Sequence, residues 1–396
     1  MRRARDVTVP LRAIEFDLLC WIARPQPRLD RAQDLLRADF DFAALLRLAT
    51  DHSVRPALVR ALADLSWEGV PAEARVELER FQRLHLVRML ALADELCRTA
   101  ARLSDRGIAF AAFKGATLAV GLHGDLTARE YNDIDLVVPE RSMAAAEEVL
   151  GGLGYRGVQG DRAFRRAFLA YQRQFAFVRD DLDTTIDLHW AFSGSHLPFP
   201  LRPDDLLRDL AWVQVGRCMV PTASAPHLAL LLAGHGTKEG WRCLGWVNDF
   251  AMIVHRHPEL DWAATHRRAE VLGCGNAVLL GCLMAEGLLG VDIPPPLRSR
   301  IENNAPTRAR AAFLIAHMRQ GLPFPEELAD LSDMDLCDSR WTKLRAVARL
   351  AVTRTVGDYE ALRLPQPLWG AYRLLRPFRL AAKALGRLRW AVPTSR

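Results

Sequence analysis

Two aspartates one residue apart, Asp133 and Asp135, stand in the stretch REYNDIDLVVPE, residues 129–140, inside an apolar run (Ile134, Leu136 to Val138) with the composition of a strand. Side chains alternate across a strand, so both carboxylates project from one face. Close carboxylates repel and burial raises their pKa. Such a pair therefore persists where a cation neutralises it or where both groups reach solvent at a strand end. A third aspartate, Asp187 in TIDLHW, has the same kind of apolar flanks, Ile186 and Leu188. If its strand neighbours the first, three carboxylates converge. Hard divalent cations, Mg²⁺ first and Mn²⁺ as the alternative, take such oxygen ligands and keep waters and phosphate oxygens in the rest of the shell. Two ions about 3.5–4 Å apart can then clamp the attacking and leaving oxygens of an in-line displacement at phosphorus.

Upstream, Lys114-Gly115 ends the apolar run IAFAAF, residues 108–113, and precedes a predicted helix. Glycine there lets the backbone approach a ligand, and free N–H groups attract phosphate. Arg129 can place a fixed positive charge beside a triphosphate or beside the carboxylates. His189 shares the face of Asp187 and either lines a nucleotide or acceptor site or is a hydrogen-bonded core histidine. In HGTKEGWRCLGWVND, the residues His235, Lys238, Arg242 and Asp249 fall near one face at helical spacing. Lys238, and with it Arg242, either holds phosphate across a cleft or belongs to a solvated helix face. Trp241 and Trp246 read as interface core.

These groups need elements to hold them. Residues 1–104 read as helical, with a long helix from Ala72 to Leu103 closed by SDRG. Residues 105–200 read as a mixed core. It comprises the 108–113 strand, the Asp133/Asp135 strand, an Ala-rich helix opened by Pro139 and closed by Gly151, Gly152 and Gly154, and a hairpin of RQFAFVRD and TTIDLHWAF turned by DDLD. Residues 201–335 read as helical, closing the cleft, and 336–396 as a basic amphipathic tail. The expected class is therefore α+β, with a small core embedded between helical regions.

Half of the residues are apolar and a quarter charged, the balance of a folded chain. The seven cysteines lie eight or more positions apart, which suits neither a disulfide framework nor a zinc knuckle and fits a reducing cytoplasm. The first apolar segment carries Glu15 and Asp17, so no signal peptide is read, and the run Ala277 to Val291 contains Glu286 and is too short to span a bilayer. The net charge of +6 belongs to the tail: residues 361–396 hold eight Lys/Arg and no Asp or Glu, leaving the remainder slightly negative. No basic groove with interleaved aromatics is read on the body, so no nucleic-acid partner is expected. The tail itself interleaves Arg and Lys with Leu, Phe and Trp. It either lies on a membrane, in this reading the inner membrane surface, or packs its apolar face on the body or a partner. Pro377 is expected to split it.

The succession FKGATLAVGLHGD, REYNDIDLVVP and TTIDLHW resembles the nucleotidyltransferase superfamily with the DNA polymerase β-like core, in particular its bacterial uncharacterised nucleotidyltransferase family. The likeness runs over about residues 85–260 and includes the segment HGTKEGWRCLGWVNDFA. It implies that Gly115 is the glycine of the phosphate loop, Asp133 and Asp135 the metal pair, and Asp187 the third carboxylate. The implied nucleotide-binding residues are Lys114, Gly115, Ala116, Arg129, Asn132, His189, His235 and Lys238. Ala116 departs from the superfamily, where many members have serine. The implied reaction moves a nucleoside monophosphate from an NTP, ATP first, to an acceptor hydroxyl with release of pyrophosphate. A non-catalytic nucleotide-binding or membrane-associated module of the same fold is the alternative, and phosphoester hydrolysis at the same metals is a third reading.

Overall fold

A computed structural model describes residues 13–37, 41–157, 162–320 and 333–390. The long helix Ala72–Asp105 buries Met89, Leu92, Leu96 and Leu103, spaced at three, four and seven so that they share one face. That stripe joins one apolar core with Ile134, Leu136, Ile186 and Leu188 of a four-stranded sheet. The strands are β1 (Ala111–Ala112), β2 (Asp133–Val137), β3 (Gln174–Arg179) and β4 (Thr184–His189), in the order β1-β2-β4-β3. β2 and β4 are parallel, and the outer pairs are antiparallel. The mixed α+β class expected above is the one found.

The β3–β4 hairpin is also as expected. Its turn, Asp180–Leu182, ends on Asp183 in the left-handed region at φ 48, a conformation that Asp tolerates better than most side chains. β1 is shorter than the 108–113 run predicts. It is an edge strand whose ladder covers only Ala111↔Val137 and Ala112↔Leu136, while Ile108, Phe110 and Phe113 are buried without extending it.

Three further differences stand out. The region after 203 is not wholly helical: β5 (Leu210–Val215) and β6 (Cys218–Ala223) form a hairpin. Gly216 turns it at φ +57, as the two-residue turns of tight hairpins require. Pro377 does not split the tail, because a single helix runs Tyr372–Trp390 through it. One proline removes one backbone donor, and flanking turns can carry the helix past that loss. Finally, the helices before and after the sheet share one core: Phe16, Leu45 and Leu58 cluster with Leu230, Phe250 and Leu280. The Gly275–Leu289 helix, buried on most sides, lies within it.

The helix Ala225–Lys238 ends where Trp241, fully buried and at φ 51, folds back beneath it. A Cβ on Gly236 would stand 2.6 Å from three atoms of the Trp241 ring. Gly236→Ala should therefore destabilise the fold by about 1–3 kcal/mol through overpacking. The check is a lowered urea midpoint at unchanged slope, and an unaltered midpoint would show that the ring has room to shift.

Candidate active site

Period-two alternation gives the sheet one apolar and one polar side. Ile134, Leu136, Ile186 and Leu188 face the long helix, and Asp133, Asp135, Asp187 and His189 therefore share the opposite face. The parallel register pairs Asp133 with Thr185, Asp135 with Asp187, and Val137 with His189. Asp135 and Asp187 are thus direct cross-strand neighbours. Their carboxylate oxygens and a ring nitrogen of His189 lie within 4.8 Å of one another, the one such metal-capable group among the described residues. His189 is accordingly a member of the carboxylate cluster, and its Nε2 is 3.0 Å from Asp135 Oδ1. Sequence reasoning put His189 on this face but not in this role. Gln174 on β3 places its side-chain nitrogen 3.4 Å from Asp187 Oδ2.

The electrostatics follow from crowding. Burial, then the charges of Asp135 and Asp187, push the Asp133 carboxyl up to about 6. Asp187 is likewise raised, by burial and then by Asp135. Burial also acts upward on Asp135, but the Lys114 ammonium and the His189 hydrogen bond outweigh it and hold that carboxyl well below the usual range. Three carboxylates share a face with one nearby lysine, whose Nζ is 3.9 Å from Asp135 Oδ2. This donor set, rich in carboxylate oxygen and underneutralised, fits a hard divalent cation.

Lys114 and Gly115 meet this face from the end of β1. Gly115 has φ +56, and a Cβ there would lie 3.4 Å from the Asp133 carbonyl oxygen and 3.5 Å from the Tyr131 ring. Glycine therefore suits both the conformation and the close approach. Thr117 ties the turn by donating its hydroxyl to the Ala112 and Lys114 carbonyls at 3.2 and 3.0 Å. Ala116 sits in the apolar core with Ile134 and Leu136, so it belongs to packing and does not border the pocket.

These groups line a pocket of about 470 Å³ together with Arg129, Asn132, His235 and Lys238. Every residue named as a site candidate is among its lining except Ala116 and Arg242. The helical wheel drawn for His235, Lys238, Arg242 and Asp249 does not hold. The helix stops at Lys238 and a second one runs Leu244–Arg256, so Asp249 enters from a different element, and Arg242 instead donates to Glu239 at 3.1 Å. Burial, then the adjacent Lys114 ammonium, hold the half-buried His235 ring well below its ordinary pKa. Lys114 Nζ lies 3.5 Å from its Nδ1.

Two features went unread in the sequence. Phe113, Phe192, Phe199 and Trp246 all line the pocket, so Trp246, expected in an interface core, lies at the site with its ring 5.1 Å from that of His235. The second is the partner of Arg129. Its Nε and Nη2 donate to the two Asp249 oxygens at 3.2 and 2.9 Å, and His123 Nε2 approaches Oδ1 at 2.8 Å. An ionised carboxylate only accepts, so the histidine is the donor there. Arg129 borders the pocket while its fork is held by Asp249. A carboxylate so far along the chain from its arginine carries no local signal of the pairing, and only the fold reveals it.

No curated protein matches the chain. The family model of uncharacterised nucleotidyltransferases matches residues 38–290, a span that contains the whole sheet, the glycine turn and both helices that carry His235, Lys238 and Asp249. With well over half of its length and every strand of the polar face inside that match, this chain belongs to the uncharacterised nucleotidyltransferase family.

Proposed function

We propose that this protein is a divalent-metal-dependent nucleotidyltransferase that moves a nucleoside monophosphate from an NTP to an acceptor hydroxyl. The observation that carries the reading is the in-register pairing of Asp135 with Asp187 across parallel strands, on the floor of a pocket that also holds the Lys114-Gly115 turn. Asp133, Asp135, Asp187 and His189 are the residues available to hold metal. A cation bound there supplies charge neutralisation and polarisation of phosphoryl oxygens. Lys114 and Lys238 hold phosphate oxygens, with the backbone of Gly115, and with Asn132 and His235 beside them. Asp187 takes the proton of the acceptor hydroxyl. The acceptor oxygen then bonds to the α-phosphorus as the bond to the β-phosphate bridge breaks, and pyrophosphate leaves.

Two contacts favour a second reading, a binding module without turnover. From within the chain, the Lys114 ammonium stands 3.9 Å from Asp135 Oδ2 and the His189 ring is hydrogen-bonded to Oδ1 at 3.0 Å, so Asp135 has partners without a metal. Incubation with each labelled NTP, Mg²⁺ or Mn²⁺ and a cell extract separates the possibilities. Label in an acceptor supports transfer, bare NMP points to hydrolysis, and binding without either supports the module. Calorimetry should show NTP binding that depends on the divalent ion and weakens by at least about tenfold in an Asp133→Ala, Asp135→Ala double variant. Full affinity in that variant would remove the aspartates from the site.

A further inference from the structure

The C-terminal helices are seated the wrong way round for ordinary packing. Among the described side chains of the Tyr372–Trp390 helix, the buried ones are Tyr372 and Arg376, 1% and 5% exposed. Arg376 donates to the Leu350 carbonyl at 2.7 Å and to Asp358 Oδ2 at 2.9 Å, and Arg379 donates to Asp358 Oδ1 at 2.6 Å. Cations grip one buried carboxylate, and that grip fixes the helix. On the other side, one turn apart, Leu374 and Phe378 are 73% and 76% exposed. An amphipathic helix that packs on a core covers such residues.

The adjoining helix Arg340–Val352 behaves alike. Ala346 is buried, whereas Trp341 and Leu344, one turn apart, are 79% and 58% exposed. Arg340, Lys343, Arg345, Arg349 and Arg373 are exposed around these apolar side chains. From 340 to 382 the only acids are Asp358, already gripped by two arginines, and Glu360. No helix among the described residues is long and apolar enough to cross a membrane.

We propose that this face docks on an anionic lipid bilayer, with Trp341, Leu344, Leu374 and Phe378 entering the interface and the flanking cations meeting lipid phosphates and carboxylates. Charge complementarity selects this occupant. A second copy would set arginine against arginine, which disfavours self-pairing. An anionic surface attracts each cation, and the interfacial zone accepts Trp, Phe and Leu without requiring a shaped pocket.

The test is flotation of the full-length protein with vesicles of phosphatidylcholine alone and of phosphatidylcholine mixed with phosphatidylserine. The mixed vesicles should carry the protein upward and lose it at high salt, and the neutral ones should not. Leu374→Gln with Phe378→Gln should weaken flotation by at least about tenfold. Arg345→Gln with Arg349→Gln should weaken it by about fivefold per charge removed. The altered side chains are exposed, so thermal unfolding should not move, and this controls for misfolding. Failure to float with the mixed vesicles overturns the proposal, as does equal flotation by the apolar double variant. A lipid-free dimer that the same variant dissociates also overturns it, assigning the face to a second copy.

Discussion

Asp187→Asn should lower the rate of nucleotide transfer by roughly two to four orders of magnitude while leaving metal–NTP affinity within a few fold, the signature of a lost general base or charge-stabilising group. The change is nearly isosteric. It keeps an oxygen 3.4 Å from the Gln174 side-chain nitrogen and removes one anion from the crowded face, so the melting temperature should not fall. That expectation has a physical basis. Burial and the Asp135 charge both disfavour the ionised form of Asp187, and a neutral amide escapes both. Single-turnover rates beside calorimetric binding make the measurement. If binding and stability collapse together, Asp187 is a structural residue; if transfer proceeds normally, the proton goes elsewhere.

Asp249→Ala should destabilise the protein by about 3–5 kcal/mol, the cost of leaving a buried charge without its partner. Asp249 and Arg129 have side chains 4% and 14% exposed, so solvent does little to screen the pair. Replacing both, Arg129→Met with Asp249→Leu, should cost less than Asp249→Ala alone, because no buried charge is then stranded. The pair also predicts a pH dependence. Burial acts upward on Asp249, but Arg129 and the His123 hydrogen bond outweigh it and depress the carboxyl in the folded state. A depressed folded pKa gives stability that is fully present above the unfolded value, about 3.9, and is lost as pH falls through the lower folded one. The stability gap between wild type and Asp249→Ala, from urea melts, should therefore stay level at neutral pH and narrow below about pH 4. A gap under about 1 kcal/mol at pH 7 would mean that water reaches the guanidinium after the substitution.

Much of the site was legible because strand geometry is local. Asp133 with Asp135, and Asp187 with His189, are each two residues apart, and any extended backbone puts such pairs on one face. The glycine at 115 was legible too, since it stands between an apolar run and a predicted helix, where a missing side chain lets the backbone approach a ligand. The β5–β6 hairpin was equally present in the sequence. LAWVQV and CMVPTA flank Gly216-Arg217, and the helical run that follows at HLALLLAGHG masked it.

What the sequence determined by itself, then, was composition and local geometry. It set the polar and apolar faces of each strand, the long helix, the Asp-rich turn, and the excess of cations at the end of the chain. The tertiary structure decided which faces meet. Asp135 stands beside Asp187 only because β2 and β4 pair in parallel with this register; a slip of one residue would send Asp187 into the apolar core. The His235 and Asp249 wheel failed for a related reason. A buried Trp241 packed under Gly236 ends one helix and starts another, and helical spacing cannot register a packing demand made by the rest of the core. The tail followed the same rule. Its amphipathic pattern was plain, but the side that faces the body was chosen by one distant carboxylate, Asp358, whose pull on Arg376 and Arg379 turned the cations inward and left Leu374 and Phe378 outside.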